Sequence, residues 1–75
     1  MKNEYIKRII EIRKEQGYSQ KEIAEKLNTT QQQYAKYENE IQEIPTRRII
    51  ELAKIFNITS DYILGLTDKK RPLKK

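Results

Sequence analysis

From residue 3 onward the apolar positions recur at helical spacing, and nowhere do they alternate as a half-buried strand requires. Ile6, Ile9, Ile10 and Arg13 stand at i, i+3, i+4 and i+7, with Tyr5 and Ile12 widening the stripe. The pattern predicts a first helix from about Asn3 to Gln16. Gly17 stops it, since glycine adopts a positive φ without steric cost. Ser19 and Glu22 fit a capping box and open a short helix, about Gln20 to Leu27, with Ile23, Ala24 and Leu27 on one face. Asn28 and Thr29 make a turn, asparagine being tolerant of the left-handed region. Thr30 and Gln33 spell a second capping box for a helix that ends near Asn39, with Tyr34 and Tyr37 turned inward. A glycine-free connection reaches Pro45. Thr46 is placed to cap a fourth helix, Arg47 to Phe56, whose stripe is Ile49, Ile50, Leu52, Ala53 and Phe56. Thr59 caps a last short helix through Leu64, before Gly65. The expected fold is all-α: a compact five-helix bundle over residues 1–68, followed by a basic, disordered tail over 69–75.

A chain of 75 residues makes one small domain, which buries only about 60–65% of its unfolded surface. It contains no Cys and no His, which excludes a disulfide framework and the common zinc-ligand spacings. No catalytic nucleophile–base pair, glycine-rich phosphate loop or carboxylate pair in an evident cleft is present, so the expectation is a non-enzyme without cofactor. The segment MKNEYIKRII is too charged for a signal peptide, and no apolar run nears the roughly 18 residues of a membrane span. A cytoplasmic protein with no membrane or small-molecule partner is expected. The net charge of +5 invites a nucleic-acid reading, yet residues 1–68 hold eleven basic and eleven acidic side chains. The excess is Lys69, Lys70, Arg71, Lys74 and Lys75. More informative is the stretch from Lys26 to Tyr37, which contains no acidic residue.

The two short helices joined by residues 28–30 carry the candidate chemistry. Ala24 is small enough to let them cross closely, and the second would project its N-terminal end from the body. A major groove, about 12 Å wide, admits such a helix. At that end stand Thr30, Gln31, Gln32 and Gln33, with Lys36 one turn on. A glutamine amide offers a donor and an acceptor in one plane, matching the N6/N7 edge of adenine; a threonine methyl meets a thymine methyl; lysine reaches guanine or phosphate. The same glutamines would also serve as ordinary solvated helix formers, and capping alone would account for Gln33.

The run from Ile9 to Gly65 resembles the Cro/phage-repressor type of helix-turn-helix (Xre family). The resemblance is carried by Arg13, Gly17, Ser19-Gln20, the stretch Glu22 to Leu27, Tyr37-Glu38, Pro45, Leu52-Ala53 and the stretch Asp61 to Gly65. The segment from Asn28 to Asn39 is especially similar to the recognition segment of lambdoid phage repressors. The resemblance implies a lambda-repressor-like fold with the helix-turn-helix in helices 2 and 3, acting as a transcriptional regulator, a repressor in particular. It implies base-edge contacts by Gln31 and Gln32, with Thr30, Gln33 and Lys36 on the same side, and phosphate contacts near Ser19 and Gln20. Arg13 and Glu38 match a partly buried ion pair. The implied partner is a double-stranded DNA operator bound by a homodimer, with Ile58, Tyr62 and Leu66 as candidate dimer residues. An antitoxin or other protein-interaction module on the same fold is the alternative. The chain departs from the pattern at Asn28 and Glu40, both usually glycine, and at Tyr34, usually a smaller aliphatic residue. The connection 40–44 is acidic where relatives are basic, its Ile41 and Ile44 are candidates for exposure, and Arg47 and Arg48 just beyond are the expected phosphate contacts.

Overall fold

A computed structural model describes residues 3–74; Met1, Lys2 and Lys75, included in the ranges expected above, lie outside it. Five helices follow in order: α1 (Glu4–Glu15), α2 (Gln20–Lys26), α3 (Gln31–Glu38), α4 (Thr46–Phe56) and α5 (Ser60–Ile63), with no strand among the described residues. Each of the first three begins where a side chain accepts a backbone N–H left over at a helix start. Asn3 accepts from Ile6 and Thr30 from Gln33, while Ser19 and Glu22 complete both halves of their box. α1 ends at Gly17 (φ +79°), with the Tyr18 N–H returning to the Arg13 carbonyl. α2 ends at Asn28 (φ +60°), with the Thr29 N–H returning to Ala24.

Two expected caps differ. Thr46 does not cap α4 but is its first residue; Pro45 precedes it in extended conformation and supplies only its carbonyl, to Arg48 and Ile49. Thr30 forms half of its expected box, because the Gln33 side chain turns elsewhere.

α2 packs on α3, α1 on α3 and α5, and α4 on α5. The core is drawn from every helix: Ile6, Ile9 and Ile12; Ile23, Ala24 and Leu27; Tyr34 and Tyr37; Ile49, Leu52, Ala53 and Phe56; Ile63. The connecting residues Ile44 and Ile58 are buried with them. Ile50, expected on the core stripe of α4, is half exposed, since the i, i+3, i+4, i+7 set starting at Ile49 already fills the inward face. Ile44 is buried and Ile41 is 74% exposed, so only one of the two loop isoleucines faces solvent.

The described part of the tail expected to be disordered, residues 69–74, makes defined contacts with the bundle. The Thr59 N–H donates to the Arg71 carbonyl and Leu73 N–H to the Asn57 carbonyl, while the Asn57 amide exchanges two hydrogen bonds with Lys74. Lys70 pairs with Glu15 at 2.8 Å. Arg8 holds the Tyr62 and Thr67 carbonyls, pairs with Asp68 and stacks 4.4 Å over the Tyr62 ring. The physical reason is that the α4–α5 turn leaves backbone and amide groups that the tail satisfies.

Candidate nucleic-acid interface

The interface is built on a frame that fixes α2 and α3 against α1. Arg13, from α1, reaches Glu38 at the end of α3 through two bonds, Nε to Oε2 at 2.7 Å and Nη2 to Oε1 at 3.2 Å. Its Nη1 donates to the Tyr18 carbonyl at 2.9 Å. Gln20, at the start of α2, donates its Nε2 to Glu38 Oε1 at 2.9 Å. One carboxylate therefore ties three elements together, and both ionic side chains are largely withdrawn from water. Burial pushes the Glu38 carboxyl upward, but the Arg13 guanidinium, with Tyr34 and Gln20 beside it, outweighs burial and holds it below the usual carboxylate range. Tyr34 fits the core as an edge-to-face partner of Tyr37, with ring centroids 6.4 Å apart. Its hydroxyl is buried beside Glu38 without a hydrogen bond of good geometry, and burial first, the carboxylate second, raise the phenol above its ordinary range.

On this frame α3 presents its N-terminal end. Thr30, Gln31, Gln32 and Lys36 are exposed; Gln33 is half-buried and donates its Nε2 to Gln42 Oε1 at 2.9 Å. Gln31, Gln32 and Lys36 are thus free to meet a ligand, while Gln33 is already engaged. Ser19 is exposed at the start of α2 beside Gln20, whose amide is half-buried on Glu38. Sequence reasoning pointed to Gln20 without foreseeing this tie, which joins residues 18 apart.

The two arginines of α4 divide. Arg47 is exposed. Arg48, expected at phosphate, is instead folded inward: its Nη1 donates to the Leu27 carbonyl at 2.6 Å and to Glu51 at 3.1 Å. Leu27 closes α2, where carbonyls lack helical partners, and Arg48 supplies one from across the bundle. That buttress was missed because no local pattern links residues 21 apart. The acidic connection is also less adverse to a polyanion than its composition suggests. Glu40 turns its carboxylate to the Asn3 N–H at 2.9 Å, at the positive end of the α1 dipole. Of the candidate dimer residues, Ile58 is buried within the chain's own core and Tyr62 is flanked by Arg8 and Lys70, leaving Leu66 exposed. Among the described residues no cluster of His, Cys, Asp and Glu could hold a metal ion, and no helix is long and apolar enough to cross a membrane.

Comparison with known proteins agrees with this arrangement. Residues 9–63 match a family model described as helix-turn-helix. The chain is 39% identical over 59 residues to the HTH-type transcriptional regulator ImmR of Bacillus subtilis, covering 79% of this chain and 46% of that protein. It is 34% identical over 68 residues to YobD, an uncharacterized HTH-type transcriptional regulator of the same organism, covering 91% of this chain and 61% of that one. The chain thus spans about half the length of these relatives.

Proposed function

Because the chain belongs to the helix-turn-helix family, in its Cro/phage-repressor form, we propose that it binds double-stranded DNA sequence-specifically and regulates transcription. The start of α3 enters the major groove. The observation that carries this reading is the free end of α3: exposed Thr30, Gln31, Gln32 and Lys36 on a frame locked by Arg13, Gln20 and Glu38, in a stretch without acidic side chains. Gln31 and Gln32 read base edges, Lys36 reaches guanine or phosphate, and Ser19, Gln20 and Arg47 contact the backbone. One half-site is a small target, so the operator is two-fold and bound by two copies, with half-sites about 34–36 Å apart. The mode of regulation proposed is repression, as the resemblance of residues 28–39 to the recognition segment of phage repressors implies.

The test is selection from a random-sequence DNA pool at about 0.1 M salt, a range in which phosphate contacts alone give only weak binding. The wild type enriches a two-fold site, and Gln31→Ala/Gln32→Ala loses or changes it. Enrichment of the same site by both proteins contradicts direct readout.

A further inference from the structure

Gln33 differs from its two neighbours in being held. Its backbone N–H donates to Thr30 Oγ1 at 3.1 Å, but its side chain does not reach back to complete the capping box. The amide crosses nine positions to Gln42, which accepts its Nε2 at 2.9 Å. Gln42 is itself well anchored. The Ile41 and Gln42 N–H groups both return to the Lys36 carbonyl, at 2.9 and 3.2 Å, and the Glu40 N–H returns to Tyr37. Glu40 sits in the left-handed region and Ile44, two residues on from Gln42, is buried in the core. The acceptor that meets Gln33 is therefore part of a closed turn at the far end of the same helix.

We propose that Gln42 is a positioning residue for base selection: by accepting one Gln33 N–H, it stops the amide from rotating and leaves its oxygen and its second N–H to meet a base edge in one orientation. This rests on the base-reading role of α3 proposed above. A free glutamine amide rotates and can offer either its donor or its acceptor edge, so it discriminates poorly by itself. With one N–H committed to Gln42, the oxygen and the second N–H are the atoms presented. In the major groove adenine N6 and cytosine N4 are the donors, whereas guanine N7 and O6 and thymine O4 only accept. Adenine alone sets an acceptor, N7, beside its donor, as the remaining Gln33 N–H requires. The position it reads holds adenine on the contacted strand.

The measurement is the enriched base distribution from a random-sequence pool for wild type, Gln33→Ala, Gln42→Met, Gln42→Glu and Gln31→Ala/Gln32→Ala. At one position per half-site the wild type prefers adenine by about fivefold, the lower end for a bidentate base contact. Gln33→Ala and Gln42→Met both lose that preference and keep the others. Gln42→Glu restores it, because a carboxylate accepts the same N–H, while its added charge weakens binding to all sequences alike. The proposal is overturned if Gln42→Met retains the Gln33-dependent preference, or relaxes every position equally as general loosening of the fold would. Should Gln31→Ala/Gln32→Ala change the enriched site while Gln42→Met does not, base reading stands and the positioning role alone fails. Should none of the variants change it, base reading fails as well.

Discussion

Glu38 carries an unusual share of the frame, since Arg13 and Gln20 both converge on its carboxylate and Tyr34 lies beside it. Removing either partner of a buried pair leaves a charge without compensation, a loss of about 3–5 kcal/mol and a large part of a small domain's stability. The lowered carboxyl sets the direction of the pH dependence. Ionised Glu38 stabilises the fold above the ordinary carboxylate pKa of about 4.3, and that contribution disappears as pH falls through the lower folded value. Thermal melts from pH 7 down to pH 3 should therefore show an acid limb that is shallower in Glu38→Gln, from a lower starting Tm. Equal slopes in the two proteins would mean that Glu38 does not drive the limb. Arg47 and Arg48, adjacent in sequence, should separate in solution. Arg47→Ala lowers affinity for all DNA sequences and reduces the salt slope by about 0.9, the value of one phosphate contact. Arg48→Ala leaves the Leu27 carbonyl unpartnered, so its Tm falls with little change in slope. A reduced slope in Arg48→Ala at unchanged Tm would return that residue to the backbone contacts.

At the scale of elements, the turns are where the chain accepts strain. Asn28, Asn57 and Glu40 all have positive φ, but only glutamate lacks a side chain short enough to offset it locally. Glu40→Gly should stabilise the protein by about 0.5–1 kcal/mol, several degrees in Tm for a domain this size, after the loss of the exposed contact to Asn3. A fall in Tm would show that this contact outweighs the strain. The elements themselves were legible wherever their determinants are local. Ser19 and Glu22 lie within one turn of each other, and both halves of their box form. Gly17 and Gly65 mark stops by conformation alone, with φ of +79° and +81°. Thr46 failed as a cap because the preceding proline carbonyl already starts the bonding of α4. Gln33 failed as the second half of a box because Gln42 offers a competing acceptor, which no spacing rule encodes. The helix-turn-helix and its exposed glutamines could thus be read from sequence, whereas the side-chain ties that orient them could not.

Over the whole molecule the least legible feature is the tail, whose partners lie far away in the chain: Lys70 on Glu15 is a contact across 55 positions. Composition alone reads such a segment as solvated, but contacts between distant positions decide its path. Amide hydrogen exchange measures this directly. The Thr59 and Leu73 N–H groups should exchange more slowly than in an unstructured chain and lose that protection when Asn57→Ala removes the amide that clasps Lys74. Unprotected amides at both positions in the wild type would mean an undocked tail. The described residues then form a locked frame, a docked C-terminal segment and an unengaged start of α3, and the proposed recognition depends on that end entering a major groove. The most direct measurement is affinity for the selected operator with 7-deazapurines at the contacted positions, which removes N7 acceptors from the major groove and leaves pairing and the minor groove intact. Direct readout predicts a loss of about fivefold or more per bidentate contact removed, absent in Gln31→Ala/Gln32→Ala. Unchanged affinity of the wild type for the substituted operator would contradict it.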